Sequence, residues 1–178
     1  MPLESTDQKH LSAAEGFVSL GMYLDADAEL DNIDALCRAM LEVLAVRLEI
    51  YSGLEKWELM QAVAEKLANY DPTNPQWAIA FAYATRRADS IQKAREILLN
   101  ALRSHPEEPT IRYNLACCEC QLGNLPVAKQ YFMQATKADG SGNEGSELNL
   151  DADSQRWSMR RHERSVLRKT FRTVDSKL

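Results

Sequence analysis

PQWAIAFAYATRRADSIQKAREILLNALRSHP, residues 75–106, reads as two helices joined by a turn. Asn74-Pro75 places proline at the opening of the first helix, where its missing N–H does no harm. Asp89-Ser90-Ile91-Gln92 carries an acidic cap with glutamine three residues on, and reads as the start of the second. Within that second helix Ala94, Leu98 and Ala101 step by four and then three, so they share one face. Pro106 closes the unit.

Shifting the chain against itself by 34 residues repeats this pattern. Pro72, Pro106 and Gly140 keep the spacing, and so do Ala26, Met60, Ala94 and Ala128. Leu30, Ala64, Leu98 and Phe132 form another register. Ile33, Leu67, Ala101 and Ala135 form a third, and Tyr23, Trp57, Ile91 and Leu125 a fourth. A fixed period of this length is that of a two-helix unit stacked into a solenoid. Gly21 and Gly123 stand where the paired helices must turn, with Glu55 and Asp89 in the same register of the other units. Glu108-Pro109 repeats the proline opening of Asn74-Pro75.

Few prolines and glycines, abundant alanine and leucine, and no stretch of convincing apolar–polar alternation agree with an all-α domain. At 178 residues the chain is long enough for one domain with an ordinary core. The opening MPLESTDQKH has no basic start leading into an apolar run, and no run reaches the roughly 18 apolar residues that span a bilayer. A cytoplasmic location with reduced thiols is expected.

These residues resemble the tetratricopeptide repeat family. Tyr113-Asn114-Leu115-Ala116, Gly123, Ala128, Tyr131-Phe132 and Ala135 make the closest match. Phe81, Ala82, Ala94, Leu98, Ala101 and Pro106 serve in the unit before. The 41–72 unit keeps Tyr51, Trp57, Leu67 and Pro72 but has Met60 for the small alanine. The first unit, about 7–37, keeps Gly21, Tyr23, Ala26, Leu30 and Ile33, with Arg38 in place of the closing proline. HLSAAEGFVSLGMYLDADAEL and IRYNLACCECQLGNLPVAKQYF resemble the opening and closing units of uncharacterised bacterial members. The resemblance implies an all-α, right-handed superhelix of four antiparallel helix pairs over 7–140, with a further helix after it.

Cys117, Cys118 and Cys120, clustered in NLACCECQLG, offer a single CxxC, whereas a structural zinc takes four ligands. Cys37, His10, His105 and His162 are scattered, and a thioredoxin-type pair needs a βαβ setting. The cysteines are therefore expected to pack as small apolar residues. There is no HExxH, no GxSxG and no glycine-rich phosphate loop after a strand. No catalytic residue, metal or cofactor is expected, and the chain is read as a non-enzyme.

Stacked helix pairs present an extended binding surface. The resemblance implies a concave groove lined by Leu11, Glu15, Ala45, Glu49, Ser52, Ile79, Tyr83, Arg86, Tyr113, Asn114, Cys117 and Cys120. That mixture suits an amphipathic helix or an extended peptide with apolar anchors. Leu11 and Glu15 stand where family members that grip a terminal carboxylate would need a basic residue and an asparagine, so a carboxylate clamp is disfavoured. An adaptor or co-chaperone is the expected function.

The charge is unevenly divided. Residues 155–178 hold eight Lys or Arg, among them Arg160, Arg161, Arg164, Arg168 and Arg172, against Glu163 and Asp175. That is +6, and from a total of −5 it leaves −11 for residues 1–154. Residues 141–154 read as an acidic Gly/Ser linker. Val166, Leu167, Thr170, Phe171 and Val174 fall at helical spacing, so 155–178 reads as a basic amphipathic helix. It is expected to cap the solenoid, to fill its groove, or to dock on the acidic body of another copy in a self-assembling structural protein. A small chaperone for secreted proteins is a further alternative. Because the acidic body would repel a polyanion, neither nucleic acid nor a membrane is an expected partner.

Overall fold

The computed structural model describes residues 3–138. The linker at 141–154, the basic segment at 155–178 and Gly140 lie outside the described residues. Within them the order is α1 (Ser5–Ser19), α2 (Tyr23–Asp31), a short 3-10 turn (Cys37–Ala39), α3 (Leu41–Gly53), α4 (Trp57–Tyr70), α5 (Pro75–Ala88), α6 (Ile91–Ser104), α7 (Pro109–Gln121) and α8 (Leu125–Ala138). There is no strand among the described residues.

Local chemistry sets the helix boundaries. The second helix of every repeat begins on the register Tyr23, Trp57, Ile91, Leu125, and α3, α5 and α7 also start 34 residues apart. Pro75 and Pro109 open α5 and α7, and the residue before each accepts from a free N–H of the first turn: Asn74 Oδ1 from Gln76 N and Glu108 Oε1 from Thr110 N, both at 3.0 Å. At α6 the expected acidic cap is corrected. The Ser90 hydroxyl accepts from Lys93 N at 3.2 Å, while the Asp89 carboxylate takes the Lys93 ammonium at 2.6 Å.

Gly21 and Gly123 end their helices with φ of 74° and 83°, in the left-handed region that glycine enters without steric cost. Glu55 takes the same turn with φ of 58°, the one non-glycine residue described with positive φ. A glycine of another kind is Gly53. A Cβ there would lie 2.3 Å from the Tyr23 ring, so its missing side chain is what admits Tyr23 against α3.

The first repeat departs from the pattern. It opens at Ser5 rather than near residue 7, and α2 stops after nine residues where α4, α6 and α8 have 14. Arg38, standing where the other repeats close on proline, turns back on the end of α2. Its guanidinium donates to the carbonyls of Ile33 at 2.8 Å and Asp31 at 2.6 Å, so carbonyls left open at the helix end find a charged donor.

Two compact units divide the chain at Lys93 and Ala94. In the first, α1 packs on α2 and α3, α2 on α3, α3 on α4 and α4 on α5. Its core includes Leu11, Ala14, Ala26, Leu30, Ile33, Val43, Ile50, Met60, Ala64 and Leu67. In the second, α7 packs on α8 through Tyr113, Ala116, Cys117 and Cys120 against Ala128, Phe132 and Ala135. All twelve residues of the three registers starting at Ala26, Leu30 and Ile33 are buried. Hiding a leucine such as Leu30 or Leu67 contributes about 2 kcal/mol, so this repeating face is the main stabilising element of each unit. The small Ala26, Ala94 and Ala128 let neighbouring helices approach closely.

Candidate protein-binding surface

In the first unit α3 and α5 carry six of the expected groove residues. Ala45, Ser52, Ile79, Tyr83 and Arg86 are half-buried and Glu49 is exposed, as is Glu15 on α1. Tyr83 organises the α5 part. Its ring meets Trp57 of α4 edge-on at 5.8 Å and 77°. The guanidinium groups of Arg86 and Arg87 lie 5.5 and 5.3 Å from its centroid, and Arg87 also lies 5.2 Å from the Trp57 ring. Arg87 Nη2 donates to the Tyr83 hydroxyl at 3.3 Å. Cations over aromatic faces gain from the ring quadrupole, and both arginines sit in the last turn of α5, where the helix dipole favours positive charge. The outcome is a half-buried aromatic patch edged with cations, and it includes Trp57 and Arg87, neither of them among the expected groove residues. The i, i+4 spacing of Tyr83 and Arg87 was the available signal.

On α3, Arg47 lies between the Asp31 carboxylate at 3.0 Å and the Tyr51 hydroxyl at 3.4 Å. Burial works against its charge, but these two partners outweigh it and hold the guanidinium proton more firmly than usual.

Four expected groove residues are core. Leu11, at 3% exposure, belongs to the first unit's core. Tyr113, Cys117 and Cys120 belong to that of the second, with the Tyr113 ring 5.9 Å from Phe132. Their apolar area is already removed from water, so they offer little surface to a ligand. Asn114, half-buried, gives its amide to the Thr110 carbonyl at 2.8 Å. The cysteines are free thiols; Cys117, Cys118 and Cys120 are buried and Cys37 half-buried. Among the described residues no group of three or more His, Cys, Asp or Glu is placed to hold a metal ion, and no helix is long and apolar enough to cross a membrane. The five arginines named in the basic segment lie outside the described residues.

The repeat also carries a polar contact that the sequence reading missed. Gln61 on α4 donates to the buried Thr85 hydroxyl on α5 at 3.1 Å, and that hydroxyl donates in turn to the Phe81 carbonyl at 2.8 Å. One period on, Arg95 of α6 meets Glu119 of α7, again 24 residues apart. Glu119 is 1% exposed, and its second oxygen accepts from Asn124 Nδ2 at 2.7 Å. That carboxylate raises the Arg95 pKa above its ordinary value, against a smaller opposing effect of burial. Each strut ties the second helix of one repeat to the first helix of the next. In the first repeat the register falls on Asp27, which pairs instead with Lys56 at 3.4 Å.

No family model and no curated protein matches the chain. Solved structures do. A MamA double mutant (RS-1) superposes with a TM-score of 0.69 at 15% identity, covering 80% of each chain. MamA (MSR-1) gives 0.64 at 21% identity, covering 74% of this chain and 75% of that one. MamA (AMB-1) gives 0.62 at 21% identity over 80% and 76%. With its 34-residue period, the eight α-helices of the described residues and these superpositions, the chain has the all-α, tetratricopeptide-repeat-like fold of the MamA structures.

Proposed function

We propose that this protein is a non-enzymatic protein-interaction scaffold of the adaptor or co-chaperone kind, and that it receives a peptide or amphipathic helix on the α3–α5 surface of its first unit. The observation that supports this most directly is the patch formed by Tyr83, Trp57, Arg86 and Arg87. A rigid aromatic residue half out of water, with cations packed on its face, offers apolar contact and a charge-assisted donor at one point. Ile79 and Ala45 add apolar area, and Ser52 supplies a hydroxyl. Exposed Glu15 and Glu49 place carboxylates on the first helices of the first two repeats. A matching segment presents an apolar anchor to Tyr83 and an acidic side chain to the arginines, with a basic residue further along for the carboxylates.

The test is capture of partners from the native host's lysate with the full chain, comparing wild type with Tyr83→Ala/Arg86→Glu. Specific partners should be lost while helical circular dichroism stays nearly unchanged, because neither residue is fully buried. Partners retained in full by the variant would move the binding surface elsewhere. Tyr113 is unsuited to such a test, since removing a core ring would confuse lost binding with lost folding.

A further inference from the structure

The irregular connection between α2 and α3 leaves a hollow of about 430 Å³, lined by Leu36, Cys37, Met40, Leu41, Glu42 and Tyr70. It leaves two large apolar side chains in water side by side on one hollow. Leu36 is 88% exposed and Tyr70 74%, whereas Leu30, Ile33, Leu67 and Leu98 of the repeating registers are buried. Its surroundings are negative. Glu42 lines it directly. The Cys37 thiol is pushed up in pKa by burial first, then by a hydrogen bond to Asp7 and by the nearby charges of Asp7, Asp34 and Glu4. Asp7 also accepts from Asp34 N at 3.2 Å, which fixes its carboxylate beside this connection. Two cations of this unit are held by other partners, Arg38 by the carbonyls at the end of α2 and Arg47 by Asp31.

An apolar hollow lined by Glu42, with the exposed Asp34 close to its Cys37 side, fits an occupant that is both apolar and basic. The chain contains one. Residues 155–178 combine Val166, Leu167, Phe171 and Val174 with Arg164, Arg168 and Arg172, at a net charge of +6. Sixteen residues, 139–154, separate this segment from the end of α8, a covalent reach of up to about 50 Å.

We propose that the basic segment 155–178 docks on the hollow between α2 and α3, packing Leu167 and Phe171 against Leu36 and Tyr70 with its arginines toward Glu42 and the exposed Asp34 carboxylate. Docking removes two exposed apolar side chains from water and pairs the chain's most basic stretch with carboxylates of its acidic body. The hollow is built from residues other than those of the α3–α5 binding surface, and neither reading depends on the other.

The experiment uses the full chain and reads both sides of the contact. In Leu36→Asp/Tyr70→Asp, changed only at exposed positions, trypsin should cut after Arg164, Arg168 and Arg172 roughly tenfold faster than in wild type, since cleavage follows the population of undocked segment. Conversely, Arg164→Glu/Arg168→Glu/Arg172→Glu should speed alkylation of Cys37 by a neutral reagent, and a synthetic 155–178 peptide of wild-type sequence should slow it again. Protection that weakens on dilution identifies the segment of a second copy as the occupant, and protection independent of dilution that of the same chain. Both outcomes support the assignment. Unchanged cleavage in the first variant together with unchanged alkylation in the second overturns it. So does Cys37 protection that survives the arginine changes yet falls on dilution, which would assign the hollow to the body of another copy.

Discussion

Ile79, Tyr83 and Arg86 on α5 stand in the registers that Tyr113, Cys117 and Cys120 occupy one repeat later on α7, yet the two helices use them oppositely. On α5 all three are half-buried and two of them build the aromatic–cation patch. On α7 all three are buried and form the core with α8. Residue size and polarity account for much of this. Cysteine at the 117 and 120 positions is small enough to disappear between helices, whereas tyrosine and arginine carry polar ends that need water or a partner. One register can therefore be a half-open face in one repeat and a packing face in the next.

The strongest attempt to break that comparison removes the equivalent side chains. Tyr113→Ala should cost about 3–5 kcal/mol, as for other buried aromatics, because it opens a cavity beside Phe132. Ile79→Ala, in the same register, should cost roughly 1–2 kcal/mol. Urea midpoints at unchanged m decide the matter, and equal losses would mean that α5 is packed as α7 is.

The two struts make the next contrast. Glu119→Ala removes a buried carboxylate that accepts from both Arg95 and Asn124 and should cost about 2 kcal/mol, the order of a hydrogen bond to a charged group, since the partly exposed Arg95 can turn to water. Gln61→Ala removes a neutral bond and leaves Thr85 satisfied by Phe81, at about 1 kcal/mol. Amide exchange in α7 against that in α5 would read each loss where it arises. A Gln61 variant as damaging as the Glu119 one would show that charge is not what separates the two junctions.

The smallest effect concerns the turns. Glu55→Gly should stabilise by about 1 kcal/mol, because Glu55 holds a left-handed conformation that Gly21 and Gly123 adopt freely in the equivalent turns. A thermal melt that moves down instead would show that the Glu55 side chain contributes more than its backbone costs.

Much of the fold was legible from one number. The period of 34 placed the starts of α2, α4, α6 and α8 and three registers of buried residues, because a helix repeats its faces through local geometry alone. It was least informative at the first repeat. There Arg38 replaces the proline, and the early end of α2 depends on carbonyls that Arg38 reaches across several residues. The candidate site was half legible. Tyr83 and Arg86 were named, but the contributions of Trp57 and Arg87 rest on α4 and α5 meeting, a contact between residues about 30 apart in the chain.

By itself, then, the sequence determined that the chain is built of two-helix repeats, which side of each second helix faces inward, and that nothing in it spells out a catalytic motif. Only the tertiary structure decided which first-helix residues stay open, and that Thr85 and Glu119 lie buried in the register where the earlier repeat has Tyr51. The physical reason is the cost of burying polar groups. Periodicity states the direction in which a side chain points, but a buried carboxylate is tolerated only when a donor arrives from another helix, and that donor is specified by packing.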